Sequence, residues 1–391
     1  MKIHRVKVGE SVYSIAREYG INPIRLMLEN ELESPKRLAV GRELLILTPT
    51  RTYTAKHGDT LDKIAAKFAT HKDTLLMQNP ELYEAKSLYT GQVLTVKNSR
   101  ITLGMGIANG YLYPGYTRER LLRCMPYLSY VTVCSAVAAE GKIRTVFDDS
   151  EALELIGIHK KIPLLRIYTA DDTSIYTDEF TENALLLAKA RGYEGITLTE
   201  SAIKRGYDRE KFLELRKRLI DKELLFVTEK DICTGCGSEA SADMTVLSLD
   251  KIHLEDMPSF REGEEKRMTR YAEECCAECA FIDISPFALI NGKYKEKVQA
   301  FGYADKYKSL LDYDAEKKIL RGTVGQGRRE CELICESLEN TKAKLELVAE
   351  LGYLGISFDI MRTHMADLLI FAYMFDRPPT VTRRTVCNPK D

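Results

Sequence analysis

His4-Arg-Val-Lys-Val-Gly-Glu-Ser-Val-Tyr-Ser-Ile-Ala16 recurs, altered but recognisable, as Tyr53-Thr-Ala-Lys-His-Gly-Asp-Thr-Leu-Asp-Lys-Ile-Ala65. The echo continues beyond both stretches. Tyr19, Leu26, Asn30 and Gly41-Arg-Glu-Leu-Leu-Ile46 in the first copy answer to Phe68, Leu75, Asn79 and Gly91-Gln-Val-Leu-Thr-Val96 in the second. Gly9 and Gly58 lie 49 residues apart, as do Asn30 and Asn79. A repeat at fixed period is one supersecondary unit used twice. Each copy opens with an alternating strand and a Gly turn. Ser11, or Asp59 and Thr60, then offers an oxygen that can cap a helix. Behind the cap, apolar residues stand at 12, 15, 16 and 19, and at 61, 64, 65 and 68, the spacing of a helix with one buried face. A second short helix ends at the Asn, and a strand follows the later Gly. The unit is a βααβ module of about 45 residues.

These residues resemble the LysM domain in both copies. The resemblance implies binding of N-acetylglucosamine polymers such as peptidoglycan or chitin. It places the sugar in a shallow groove between the strand-to-helix turn and the segment after the second helix. The implied glycan-binding residues are Gly9, Glu10, Ser11, Val12 and Asn30 in the first copy, and Gly58, Asp59, Thr60, Leu61 and Asn79 in the second. The same Gly and Asn residues can equally serve only as turns and caps.

After Arg100 the pattern changes. Short apolar runs cover Ile101–Ile107, Tyr130–Cys134, Pro163–Tyr168, Gly195–Thr199, Leu224–Thr228, Met244–Leu249, Ala280–Ile284 and Leu354–Phe358. Most are separated by amphipathic segments, among them Ser150–His159, Asp178–Arg191, Asp208–Lys222 and Asn340–Leu351. Eight such strands in this length predict a (β/α)8 barrel, whose chemistry sits at the C-terminal ends of its strands. The expected fold class is α/β: a TIM-type (β/α)8 barrel preceded by two small βααβ modules. The expected boundaries are 1–48, 51–97 and 100–377, with an extended tail at 378–391.

Composition narrows the function. The 391 residues are 45% hydrophobic and 29% charged, with no tryptophan and a net charge of −1. That excludes a largely disordered chain and disfavours bulk electrostatic binding of nucleic acid. No run reaches the about 18–20 apolar residues of a membrane helix, so no membrane insertion is expected. The first 100 residues carry a slight basic excess and the remainder a slight acidic one. The start of the chain shows no apolar segment of the secretory type. The ten cysteines therefore read as reduced thiols. Five of them form Cys233-x-x-Cys236 and Cys275-Cys276-x-x-Cys279, with no histidine inside either cluster. A zinc or redox role for these is the lesser reading, and no metal or cofactor is expected.

Three further stretches resemble LysM-bearing family-18 glycoside hydrolases that degrade bacterial spore cortex. They are Tyr127-Leu-Ser-Tyr-Val131 with Asp148-Asp149, Arg191-Gly-Tyr-Glu-Gly-Ile196 with Asp208–Arg216, and Lys342–Gly352 with Leu354–Phe358. The resemblance implies a D-x-x-D-x-D-x-E motif on the fourth strand, in which the Glu is the general acid and the substrate's acetamido group is the nucleophile. This chain reads Gly195-Ile-Thr-Leu-Thr-Glu-Ser201, so the motif positions fall on Thr197, Thr199 and Ser201. A hydroxyl cannot protonate a glycosidic oxygen as a carboxylic acid does. By strand parity Glu200 shares the helix-facing side with Ile196 and Leu198; a bulge would turn it inward, and otherwise it reads as a rim residue or a partner at a helix N-terminus. The sixth strand keeps only Asp250 of the family's Met-x-Tyr-Asp. The eighth has Asp359 near the family's tryptophan, with Phe358 on the opposite face. Asp171, Asp172, Glu229, Asp250, Asp283 and Asp359 all stand near strand ends, so several could converge in the barrel mouth, while each alone reads as a solvated loop residue or a helix cap.

The leading expectation is a peptidoglycan-binding spore-envelope or cell-wall protein with a catalytically impaired barrel, and other spore-envelope proteins as further partners. The alternative is an active glycosidase with a relocated acid, Glu200 first and Asp250 second.

Overall fold

A computed structural model describes residues 1–82, 87–100, 102–140, 142–170, 173–234, 242–249, 259–325, 327 and 330–376. The first module runs β1 (Lys2–Arg5), α1 (Val12–Tyr19), α2 (Pro23–Glu29) and β2 (Glu43–Ile46). The second runs β3 (Pro49–Thr54), α3 (Leu61–Lys67), α4 (Lys72–Gln78) and β4 (Val93–Asn98). In each, the two strands pair antiparallel and the helices cover one face. Ser11 forms a capping box with Ser14, and Thr60 caps the Lys63 amide, so both α1 and α3 start where the sequence places them. Val12, Ile15 and Ala16, and Ile64 and Ala65, are the buried helical positions.

Eight parallel strands close the barrel: β5 (Ile107–Leu112), β6 (Tyr130–Ala139), β8 (Ile162–Thr169), β9 (Gly195–Thr199), β10 (Leu225–Asp231), β11 (Met244–Ser248), β12 (Ala280–Ile284) and β18 (Gly355–Asp359). Closure is complete because β5 pairs with both β6 and β18. A short β7 (Lys142–Thr145) extends β6 antiparallel. Alternation sorts the side chains. Tyr111, Tyr130, Leu164, Val227, Val246 and Phe281 fill the interior. Ile196, Leu198, Phe226, Ile282 and Phe358 pack outward. The outer layer is built on α5 (Arg118–Cys124), α6 (Ser150–Ile158), α7 (Asp178–Arg191), the short α8 (Glu200–Lys204), α9 (Arg209–Asp221), α10 (Lys266–Glu274), α12 (Leu338–Glu350) and α13 (Met365–Met374).

Two features depart from the sequence reading. The first barrel strand is Ile107–Leu112, not Ile101–Ile107. Its apolar run is broken by Asn109, which is buried and accepts from the Thr132 hydroxyl at 2.8 Å while its amide reaches Ser357 at 3.2 Å, a polar rung inside the barrel. The second feature is an insertion between the seventh and eighth strands. It is a five-stranded antiparallel sheet of β13 (Phe287–Ile290), β14 (Lys293–Glu296), β15 (Leu310–Asp314), β16 (Ile319–Val324) and β17 (Cys331–Glu336), with α11 (Lys297–Tyr307) on it.

The first LysM-like module is welded to the barrel and its insertion. Arg42 is 1% exposed and binds Asp305 of α11 while donating to the Asn30 carbonyl at 2.9 Å. Ala39 donates to Asp305 at 2.8 Å, Val40 to the Ser309 carbonyl at 2.9 Å, and Leu311 back to Val40 at 2.8 Å. The Leu338 amide at the start of α12 donates to Glu43 at 2.7 Å. Gly41 sits at φ 84°, and a Cβ there would lie 1.8 Å from the Leu311 carbonyl oxygen. The second module is held by Arg25, which donates to Thr95 at 2.8 Å, and by Asn98 on Tyr373. Among the described residues no helix is long and apolar enough to cross a membrane.

The cysteine expectation is corrected in part. Cys275 and Cys279 are disulfide-bonded rather than reduced, and the Cys276 sulfur lies 3.0 Å from that of Cys279. Cys275 caps the end of α10, and Cys279 closes the single 3-10 turn that follows it, Ala277–Cys279. Cys236 and the tail 378–391 lie outside the described residues, as does Asp250. Among the described residues no group of three or more His, Cys, Asp or Glu has the arrangement of a metal site.

Candidate functional site: the barrel mouth and the module turns

The C-terminal ends of the strands surround a cavity of about 480 Å³. On the fourth strand, β9, the alternation is as expected: Ile196 and Leu198 pack outward. Thr197 is fully buried, and its hydroxyl has no hydrogen-bond partner. Thr199 ends the strand. Its hydroxyl caps the Ala202 amide and lies 3.0 Å from the Ser201 hydroxyl. The parity argument fails one residue later. Glu200 is the first residue of α8, so the two-residue period no longer applies, and Glu200 lines the mouth with Thr199 and Ser201. It is paired with Lys204 at 2.9 Å, one helical turn on.

Other strands bring three more carboxylates to the same cavity: Glu229 from β10, Asp283 from β12 and Asp359 from β18. Glu229 receives a two-pronged contact from Arg166 of β8, with Nε at 2.8 and 3.1 Å and Nη2 at 2.9 Å. Burial opposes the Arg166 charge, but Glu229 outweighs it and holds the guanidinium above its ordinary value. Asp359 accepts from the Met361 and Arg362 amides at 2.8 and 3.0 Å and from the Arg362 side chain at 3.2 Å. Burial nonetheless pushes its carboxyl up, against those hydrogen bonds.

The aromatic surface comes from elsewhere than the eighth strand. Tyr111 and Tyr113, at the end of β5, stack with centroids 6.2 Å apart and planes 27° apart, and both line the mouth with Phe287. The Arg362 guanidinium lies 5.3 Å over the Tyr113 ring. Tyr111 is 6% exposed, with its hydroxyl close to the Glu229 carboxylate. Burial first, then Glu229 and Asp283, keep that hydroxyl protonated. The sequence reading missed Tyr111 and Tyr113. The available signal was two aromatics with period 2 at the end of a barrel strand.

The module turns divide into an exposed and a buried half. Gly9 and Gly58 take φ 83° and 78°, left-handed conformations that favour glycine. Glu10 accepts from the Lys7 amide at 2.7 Å and contacts His4 at 2.8 Å. Asp59, its repeat counterpart, accepts from the Lys56 amide and the Tyr53 hydroxyl, both at 2.8 Å. These bonds hold both carboxyls low, with burial opposing at Glu10. Ser11 and Thr60 spend their hydroxyls on caps, Val12 is in the core, and Leu61 is half-buried. Asn30 and Asn79 are fully buried. Each side chain donates twice to carbonyls, Leu26 and Leu45 or Leu75 and Thr95, and accepts from the Leu45 or Thr95 amide. Both tie the end of the second helix to the closing strand.

The comparisons with known proteins agree with this architecture. The LysM domain family matches residues 4–47 and 53–97, so the chain carries two LysM domains. A candidate sporulation-specific glycosylase, YdhD, of Bacillus subtilis (strain 168) is 26% identical over 238 residues, covering 57% of this chain and 55% of that protein. The cell wall-binding protein YocH of the same strain is 38% identical over 96 residues, 24% of this chain and 32% of that protein. The chain thus spans about half or less of the length of these relatives. The crystal structure of the spore cortex-lytic enzyme SleL of Bacillus megaterium QM B1551 superposes with a TM-score of 0.70, at 18% identity, over 97% of this chain and 99% of that one. The SleL of Bacillus cereus gives 0.68 at 21% identity, covering 96% and 99%. These likenesses establish the fold: two LysM modules at the front and a (β/α)8 barrel behind.

Proposed function

We propose that the chain binds N-acetylglucosamine-containing peptidoglycan through its LysM modules, and that its barrel holds glycan without hydrolysing it efficiently. The placement is at the spore envelope or cell wall, in keeping with the names of its relatives. The observation that carries the reading is the fourth strand. Thr197, Thr199 and Ser201 stand where the family-18 resemblance calls for acids, and β9 has no carboxylate of its own. The mouth keeps a sugar-sized cavity with a stacked tyrosine pair, so loss of the proton donor is not loss of the binding site.

A second reading is favoured by one observation: Glu200 lines the mouth rather than the helix layer. There it would serve as a relocated acid in the cavity that Glu229, Asp283 and Asp359 also line. The deciding experiment incubates the full chain with purified cortex peptidoglycan. Released fragments are followed by mass spectrometry, and retention is measured by co-sedimentation. Retention without fragments is the expected result. Turnover that disappears with Glu200→Gln would sink the impaired-barrel reading.

A further inference from the structure

We infer that the Asn30–Glu31 corner of the first LysM module positions the mouth loop of the barrel, setting Asp359 and Arg362 against a bound glycan. This rests on the mouth being a glycan site, as proposed above. The loop between β18 and α13 has two sides. One presents Asp359 and Arg362 to the cavity. The other leans on the module. Arg120 of α5 donates to the Ile360 carbonyl at 2.8 Å and to the Thr363 carbonyl, and pairs with Glu31. The second Glu31 oxygen accepts from the Met365 amide at 2.9 Å. His364 reaches the Asn30 carbonyl through Nε2 at 3.1 Å.

Every residue from Ile360 to Met365, apart from the two amides that Asp359 itself holds, is therefore tied to the module or to the arginine it pairs with. The corner is also where the two LysM copies diverge. Asn30-Glu31 in the first answers to Asn79-Pro80 in the second, and proline has no carboxylate to offer. Glu31 takes φ 46°, a left-handed conformation that a side-chain-bearing residue adopts at a cost. The strain is met at the point of contact with the barrel. The same corner flanks the groove that a LysM domain would use for sugar, so in this module one wall of that groove is held by the barrel.

The test uses the full chain and two variants, Glu31→Gln and His364→Ala. Leu185→Ala, buried on α7 and remote from the mouth, serves as a control for general destabilisation. Hydrogen exchange at the Met361 and Arg362 amides, which Asp359 holds, reads the loop directly. Loss of one charge-assisted bond should speed it by about tenfold or more, with the Thr95 amide of the second module unchanged. Titration with an N-acetylglucosamine hexamer should show a component that Asp359→Asn removes. Both variants should weaken that component about tenfold relative to the LysM component. Exchange no faster than in Leu185→Ala would overturn the inference. Faster exchange with no Asp359-dependent binding in the parent chain would instead sink the glycan reading of the mouth and leave the loop support standing.

Discussion

Replacing Arg42 by alanine tests whether the first module and the barrel are one folding unit. Arg42 sits between the Asp305 carboxylate, the Asn30 carbonyl and the Phe301 ring, whose centroid is 4.7 Å away. Its removal leaves Asp305, 8% exposed, held by the Ala39 amide. Breaking a buried pair on one side costs about 3–5 kcal/mol, because the surviving charge is stranded. With a urea dependence of about 3 kcal/mol per molar, the unfolding midpoint should fall by about 1–1.7 M. The loss should depend on pH. Burial already holds the Asp305 carboxyl above its ordinary value, with Arg42 opposing. Without Arg42 it rises further, and the folded chain then binds this proton more tightly than the unfolded one. Stability therefore falls as pH rises from the ordinary carboxyl value through the raised one, and the deficit shrinks toward pH 4. Urea titrations at pH 7 and pH 4, followed by circular dichroism, measure both effects. A loss below about 1 kcal/mol at pH 7, an equal loss at both pH values, or a module that melts in its own transition would refute the weld.

Three further outcomes follow from local geometry. Glu29 is fully buried, and burial pushes its carboxyl up to about 7 despite Arg25 at 2.6 Å. Between about pH 4.5 and 7 it should lower stability as pH rises, by about 2–3 kcal/mol in all, and Glu29→Gln should remove that slope from denaturation midpoints. Thr197→Val replaces a buried hydroxyl that has no partner and should stabilise by about 1 kcal/mol; a loss of that size would mean the hydroxyl has a role in the resting protein. Gly41→Ala forces a Cβ into the Leu311 carbonyl at a left-handed φ and should cost about 3 kcal/mol or more, read as a drop in Tm.

The LysM modules were legible because their determinants are local and doubled. Gly9 and Gly58, the caps at Ser11 and Thr60, and the apolar spacing behind them all lie within a dozen residues. The barrel strands were legible as short apolar runs, except the first, where Asn109 and Gly110 interrupt the run and the polar rung to Thr132 and Ser357 appears only in three dimensions. The insertion was invisible for a related reason. The edge strand Lys293-Tyr-Lys-Glu296 carries no apolar run, although its partner is one two-residue turn away, and the pairing that builds the sheet, Phe287–Ile290 with Cys331–Glu336, joins segments distant in sequence. The mouth is harder still. Glu229, Asp283 and Asp359 were legible as acids at strand ends, but Tyr111 belongs to the strand whose bounds were misplaced, and which residues converge depends on the register of the closed sheet. Glu200 shows the limit of a periodic argument: parity holds to Thr199 and lapses where the helix begins.

The weld has a consequence for binding a polymer. Tandem sugar-binding modules on slack linkers sample many separations, and each pays entropy to engage a second point on one strand. Here only Leu47 and Thr48 lie between β2 and β3, and both modules are bonded to the barrel. The spacing from the second module's exposed turn to the mouth is fixed. For a glycan that meets both, the local concentration at the second contact is set by whether its own repeat matches that distance. The molecule would then select strands by length and straightness, as a caliper does, even if each contact alone were weak.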